Sequence, residues 1–188
     1  FQNHTANDTQ ADGLTHSSIW CIVKDNQGTL WLGTYFGGVN YFNPEYEIYT
    51  RYSYSSNEKK GLSNPVVGRT IEDKDGNLWI GTEGGGLNYY NRRTREFKWY
   101  RPQEGRNSIS HNNVKALYYD ADKEIIWIGT HLGGLNKLDI RSGHFTHYRM
   151  EEGNPNTLPS DIIRDIIPYK SLLIIATQNG VCLFDPAN

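Results

Sequence analysis

The chain has 188 residues, with 19 Lys and Arg against 21 Asp and Glu and a formal net charge of −2. That balance gives no basic field for a nucleic-acid backbone and no like-charged interaction tail. A mean hydropathy of −0.67 with 13% aromatic residues suits many short strands better than one thick helical core. The longest apolar runs, such as Leu172 to Ala176, fall well short of the roughly 20 residues of a membrane-spanning helix.

The chain opens on Phe1 and then a polar stretch, residues 2–13, that reads as a loop. No charged-then-apolar leader is present, which leaves export open. Phe1, Tyr49, Phe97 and Phe145 recur at one constant spacing, and the last three each open a short Tyr-bearing run. The chain is therefore expected to begin on the last strand of one repeat and to stop before that strand of the fourth.

Each full repeat carries four strand-like segments. The first segments are Ile19 to Val23, Val67 to Ile71, Val114 to Tyr118 and Ile163 to Ile167. Turns with Asx and Gly chemistry follow at Asp25–Gly28 and Asp73–Gly76, and the third repeat has a longer turn, Asp120 to Glu124. Then come Leu30–Thr34, Leu78–Thr82 and Ile126–Thr130, each reading apolar-Trp-apolar-Gly-Thr, so Trp31, Trp79 and Trp127 are evenly spaced along the chain. The fourth copy, Leu173–Thr177, has Ile174 for Trp and Ala176 for Gly. Gly-Gly pairs at Gly37–Gly38, Gly85–Gly86 and Gly133–Gly134 lead into third segments ending at Phe42, Tyr90 and Leu138. The fourth repeat keeps Gly180 alone and runs from Val181 to Phe184.

No apolar set recurs at helical spacing over three turns. Successive apolar residues around each Trp imply a strand covered on both faces, and the small residue after them implies a close neighbour. Four short strands repeated at this period are the rhythm of a propeller blade. The expected fold is all-β: about four blades, each a four-stranded antiparallel sheet, forming part of a larger, seven-bladed β-propeller. The expected divisions are 1–13, the last strand of a preceding blade with its loop; 14–52, 61–100 and 109–148, three blades; and 158–188, a fourth without its last strand. Cys21 and Cys182 fall in different blades and are expected as two buried thiols, since a bridge needs Cα atoms within about 7 Å.

The string formed by Gly61–Ser63, Asp73–Gly76, Leu78–Thr82, Gly85–Asn88 and Phe97–Tyr100 resembles the two-component regulator propeller repeat. The resemblance extends from Leu14 to Phe184. It implies the periplasmic sensor region of a bacterial hybrid two-component histidine kinase of the kind linked to uptake and breakdown of complex carbohydrates. The parent protein would hold further blades, an immunoglobulin-like domain, a membrane helix and a kinase, and would touch the membrane only through those other parts. The resemblance implies no catalysis by this segment and no cofactor.

Loops between the second and third strands share one face of a propeller, and by analogy ligands meet that face near the channel. There the matched repeats differ: Tyr35 and Phe36, Glu83, His131, and Gln178. His16, His111, Asn112 and Asp161 lie just before the first strands. Trp20, Arg69, Lys115 and Arg164 are bulky or polar where a plain core strand would be apolar. Aromatic faces beside planar polar groups suit an oligosaccharide, and Arg69 and Arg164 suit an acidic one. The structural alternative is that these arginines pair with Asp165, Glu83 or carbonyls inside the channel. The candidate ligand-binding set is Trp20, Tyr35, Phe36, Arg69, Glu83, His111, His131, Arg164 and Gln178.

A metal site is not expected. His144 and His147 would point to opposite faces of a strand, and the other histidines are scattered. No nucleophile elbow or phosphate loop is present. A rival reading is a propeller lyase of the streptogramin type, which would need His111 and His131 to converge on a metal. Another is a structural stack that binds nothing. Uncapped repeat arrays expose apolar surface, so self-association or a homodimer is expected of the isolated segment.

Overall fold

The computed structural model describes residues 4–6, 13–43 and 48–187; Phe1, most of the N-terminal loop and the side chains of Ile48 and Tyr49 lie outside that description. Among the described residues there are fifteen strands and a single turn of 3-10 helix, Glu58–Lys60. The first sheet is β1 (Ile19–Lys24), β2 (Leu30–Thr34), β3 (Val39–Asn43) and β4 (Ile48–Tyr52), in that order. The second is β5 (Val67–Glu72), β6 (Leu78–Thr82), β7 (Gly86–Asn91) and β8 (Glu96–Tyr100). The third is β9 (Val114–Asp120), β10 (Ile125–Thr130), β11 (Leu135–Asp139) and β12 (Phe145–Tyr148). The fourth has three strands, β13 (Ile163–Tyr169), β14 (Leu172–Thr177) and β15 (Gly180–Phe184). All pairings are antiparallel between chain neighbours, as short hairpin turns require.

The three tryptophans occupy one register. Trp31 lies between Val23 and Tyr41, Trp79 between Ile71 and Tyr89, and Trp127 between Tyr118 and Lys137. All three are fully buried, and each packs against the following sheet. Trp31 and Val39 join Val67, Leu78 and Ile80; Trp79 and Leu87 join Val114, Ile126 and Ile128; Trp127 and Leu135 join Ile163, Leu173 and Ile175. Each core is thus shared by two consecutive blades, which is why no blade can hide its apolar face alone.

The small residue after each Trp marks the closest approach. A Cβ on Gly81 would lie 2.6 Å from Val114 Cγ1, and one on Gly33 would lie 2.7 Å from Val67 Cγ1. The second glycine of each pair takes positive φ, +75° at Gly38, +81° at Gly86 and +69° at Gly134. In that conformation its N–H donates to the segment leading into the next blade: Gly38 to Pro65 O at 3.0 Å, Gly86 to Asn112 O at 2.7 Å, Gly134 to Asp161 O at 2.9 Å. Buried Asn40, Asn88 and Asn136 accept from the backbone N–H of Thr15, Ser63 and Ser110 at 2.8–3.0 Å. The repeated Gly-Gly-x-Asn and Leu-Ser/Thr residues therefore serve as scaffold.

The turn aspartates do more than close a hairpin. Asp25 Oδ1 accepts from the N–H of Gln27 and of Thr29, while Oδ2 accepts the Trp31 indole N–H at 2.8 Å. Asp73 does the same for Asn77 and Trp79, the latter at 3.2 Å. In the third blade the longer turn directs Asp120 to Lys123 instead, and Trp127 Nε1 is buried without a hydrogen-bond partner. Cys21 and Cys182 are free and half-buried. Burial pushes both thiols above their ordinary pKa.

Candidate functional site

The residue after each second strand is pinned by its own backbone. Tyr35 N–H donates to Ser18 O, Glu83 to Val66 O and His131 to Asn113 O, each at 3.0 Å, and Gln178 to Ile162 O at 2.9 Å. Four equivalent main-chain bonds therefore present four unlike side chains at one end of the blades.

The first strands supply a second set at the same level. Each pairing slips by one residue at the same place: between Ile19 and Cys21, Val67 and Arg69, Val114 and Ala116, and Ile163 and Asp165. The skipped residues are Trp20, Gly68, Lys115 and Arg164. An extra unpaired residue bends the strand and re-aims its side chain, and the three side chains here all turn to the pinned loop residues. Trp20 lies over Tyr35 with ring centroids 4.9 Å apart, Lys115 pairs with Glu83 of the preceding blade, and Arg164 Nη2 donates to Gln178 Oε1 at 2.9 Å.

The register corrects one grouping made from sequence. Arg69 is not equivalent to Trp20, Lys115 and Arg164; that place in the second blade is Gly68. Arg69 sits one step along, at the level of Asp165, and their side chains meet at 3.2 Å across an intervening blade. The pairing foreseen as the structural alternative is thus present. Both partners remain about half exposed, so the pair contributes little stability. The Trp-to-Trp spacing, counted on from Trp20, falls on Gly68 and was the signal for the correct register.

The first blade carries the aromatic side of the site. His16 lies 6.1 Å from Tyr35, and Trp20, Tyr35 and Phe36 are all exposed, Phe36 by 63%. The third blade brings His111 and His131 together, with ring centroids 6.4 Å apart. His111 Nδ1 accepts the Asn113 N–H at 3.0 Å, and His131 Nδ1 is buried without a partner. Burial, then the neighbouring His131 and Arg149, hold His111 below the ordinary histidine pKa, so its neutral form is favoured. Leu132 follows at φ +77°, where the second blade has Gly84 at +104°. Backbone strain in a binding loop is tolerated where the surroundings fix it. Among the described residues no group of three or more His, Cys, Asp or Glu is arranged to hold a metal ion.

Consecutive antiparallel sheets, packed face to face through shared cores with their first strands side by side, make this chain a run of β-propeller blades. Residues 13–36, 61–84 and 108–131 each match the model of the two component regulator propeller family. An extracellular domain assigned to a hybrid two component system of B. thetaiotaomicron is similar at 25% identity, over 91% of this chain and 25% of that one, with a TM-score of 0.74. A second such domain from the same organism matches at 24% identity over 94% of this chain and 22% of that one, also with a TM-score of 0.74. PorZ, a surface component of the type-IX secretion system of Porphyromonas gingivalis, shares the fold at 19% identity, over 96% of this chain and 28% of its own, with a TM-score of 0.69. The chain thus spans about a quarter of the length of these structures. Comparison with curated proteins gave no match. Among the described residues no helix is long and apolar enough to cross a membrane.

Proposed function

We propose that this chain is a non-catalytic, ligand-recognising segment of a larger propeller in the periplasmic part of a hybrid two-component sensor, and that its ligand is an oligosaccharide. The observation that carries the reading is the doubled ring of side chains at one end of the blades. A constant backbone frame holds Tyr35, Glu83, His131 and Gln178, and constant bulges hold Trp20, Lys115 and Arg164. Fixed main chain with changing chemistry is what a recognition surface needs. The exposed rings of Trp20, Tyr35 and Phe36 suit the apolar face of a sugar, and the Lys115–Glu83 and Arg69–Asp165 pairs of the other blades suit its hydroxyls. Signalling through a kinase in the parent chain would follow if the sugar bound one arrangement of the parent more tightly than another.

Calorimetric titration with a panel of plant and host oligosaccharides tests this. Binding should appear for at least one of them and weaken at least tenfold in Trp20→Ala and in Tyr35→Ala. Full-strength binding in both variants, or none in the parent sensor, would leave only a structural stack.

The approach of His111 to His131 favours one second reading, a metal-dependent lyase. Arg149 is close enough to His111 to disfavour an added cation, which weighs against it. A stoichiometric, tight divalent-metal isotherm lost in His111→Ala would reverse that judgement. Self-association is part of the same proposal, through exposed Ile22 on the first blade and Ile167, Val181 and Leu183 on the fourth. Light scattering at rising concentration should show mass above that of a monomer.

A further inference from the structure

At the opposite end from that ring, the seam between the first two blades opens into a cleft of ≈ 300 Å³, walled by Trp31, Tyr41, Tyr52, Tyr90, Arg92 and Arg95. Trp31 and Tyr90 lie buried behind its floor, Tyr41 and Tyr52 are partly exposed on its wall, and Arg92 and Arg95 make its rim cationic. Trp31 meets Tyr41 at 4.8 Å and Tyr52 at 5.8 Å between ring centroids, and the Tyr52 and Tyr90 hydroxyls share a hydrogen bond of 2.8 Å. Arg92 lies over Trp31 at 5.4 Å. Its Nη2 is taken by Asp25 and Glu72, while Nε and Nη1 are buried without partners. Arg95 is exposed, lies in the same turn, and has no ion pair among the described residues.

The next seam shows that the fold does not need these residues. The turn bond from Arg95 N–H to Asn91 O recurs as Gly143 N–H to Asp139 O, both at 2.8 Å, so Arg95 stands where the third blade has glycine. Both positions have positive φ, +59° and +71°, a conformation that favours glycine. Tyr90 is replaced by Leu138 in the same register, and Arg92 by Ile140, which packs on the apolar core. The first seam thus keeps a strained arginine and two unpaired guanidinium donors where the repeat offers an apolar solution.

We propose that this cleft binds a carboxylate-bearing sugar ring of monosaccharide size, its face against the partly exposed rings of Tyr41 and Tyr52 and its carboxylate on Arg95. A planar guanidinium matches a carboxylate in charge and shape, and the phenol hydroxyls, Gln27 and Thr50 supply partners for ring hydroxyls. The cleft lies wholly within two blades, so it does not depend on what covers their free faces. It is separate from the ring of side chains at the other end and does not rest on that ring's reading.

The test is calorimetric titration of the whole chain with glucuronate, with glucose and benzoate as controls. Glucuronate should bind saturably and at least tenfold more tightly than either control. Arg95→Gly should keep the fold, because glycine suits its backbone, and should weaken glucuronate at least tenfold. Arg92→Ile, copying the next seam, should do the same. Equal binding of glucose, preference for benzoate, no glucuronate binding, or unchanged affinity in Arg95→Gly would each overturn the proposal.

Discussion

At the seam between the first and second blades, Tyr52 and Tyr90 share a hydrogen bond and Arg92 reaches back to Asp25. At the next seam Tyr100 packs on Phe145, Leu138 and Ile140 fill the equivalent places, and the charges lie outside as Lys74, Glu124 and Arg141. One backbone frame thus accepts a polar, hollow joint and an apolar, filled one. The filled joint needs only burial; the hollow one holds polar groups that burial alone does not explain.

The largest effect should come from breaking the filled joint. Trp79→Ala should cost about 3–5 kcal/mol, read from urea unfolding, because the cavity opens inside close packing. Trp31→Ala should fall at or below the low end of that range, since it already borders a cleft. Equal losses would show that the two joints do not differ in packing.

Next comes Asp25→Ala, which strands the Trp31 indole and one contact of Arg92. The expected cost is about 2–4 kcal/mol. This part of the stability also depends on pH. Burial alone would raise the Asp25 carboxyl, but the Trp31 indole, the Thr29 N–H and Arg92 together hold it below its ordinary value of 3.8. A lowered folded pKa means that the contribution is complete above the unfolded value and is lost as pH falls through the folded one. The gap between wild type and Asp25→Ala should therefore be constant above about pH 5 and narrow below about pH 4. A gap that stayed constant down to about pH 2 would remove the carboxylate from the account.

A finer comparison sets Trp79→Phe against Trp127→Phe. Trp79 loses a bond to Asp73, whereas Trp127 has no partner to lose, so Trp79→Phe should be more costly by about 1 kcal/mol. The smallest effect is expected from Lys74→Ala. Its pair with Glu124 is on the surface, so the melting temperature should barely move at about 0.15 M salt.

Much of the frame was legible in the sequence because it rests on residues with few substitutes. The Trp strings, the small residue at each close approach and the positive-φ glycine point to strand order, blade count and turns. The bulge was not legible by residue character: Arg69 looked like the functional equivalent of Trp20, when the equivalent was Gly68, a residue with no side chain to draw notice. The bond from a turn aspartate to its tryptophan was also missed, because turn chemistry alone accounts for aspartate there. Arg92 and Arg95 read as ordinary turn residues, and only folding brings them over the rings of the preceding blade.

The bonds from Gly38, Gly86 and Gly134 to the segment leading into the following blade have a practical consequence for chimeras. Each of those segments runs directly into the strand that carries the next blade's bulge, so one blade helps set where its successor's recognition residue stands. Exchanging a single blade between two such proteins should therefore transplant only part of its specificity. Moving the lead-in segment of the following blade with it should restore the rest.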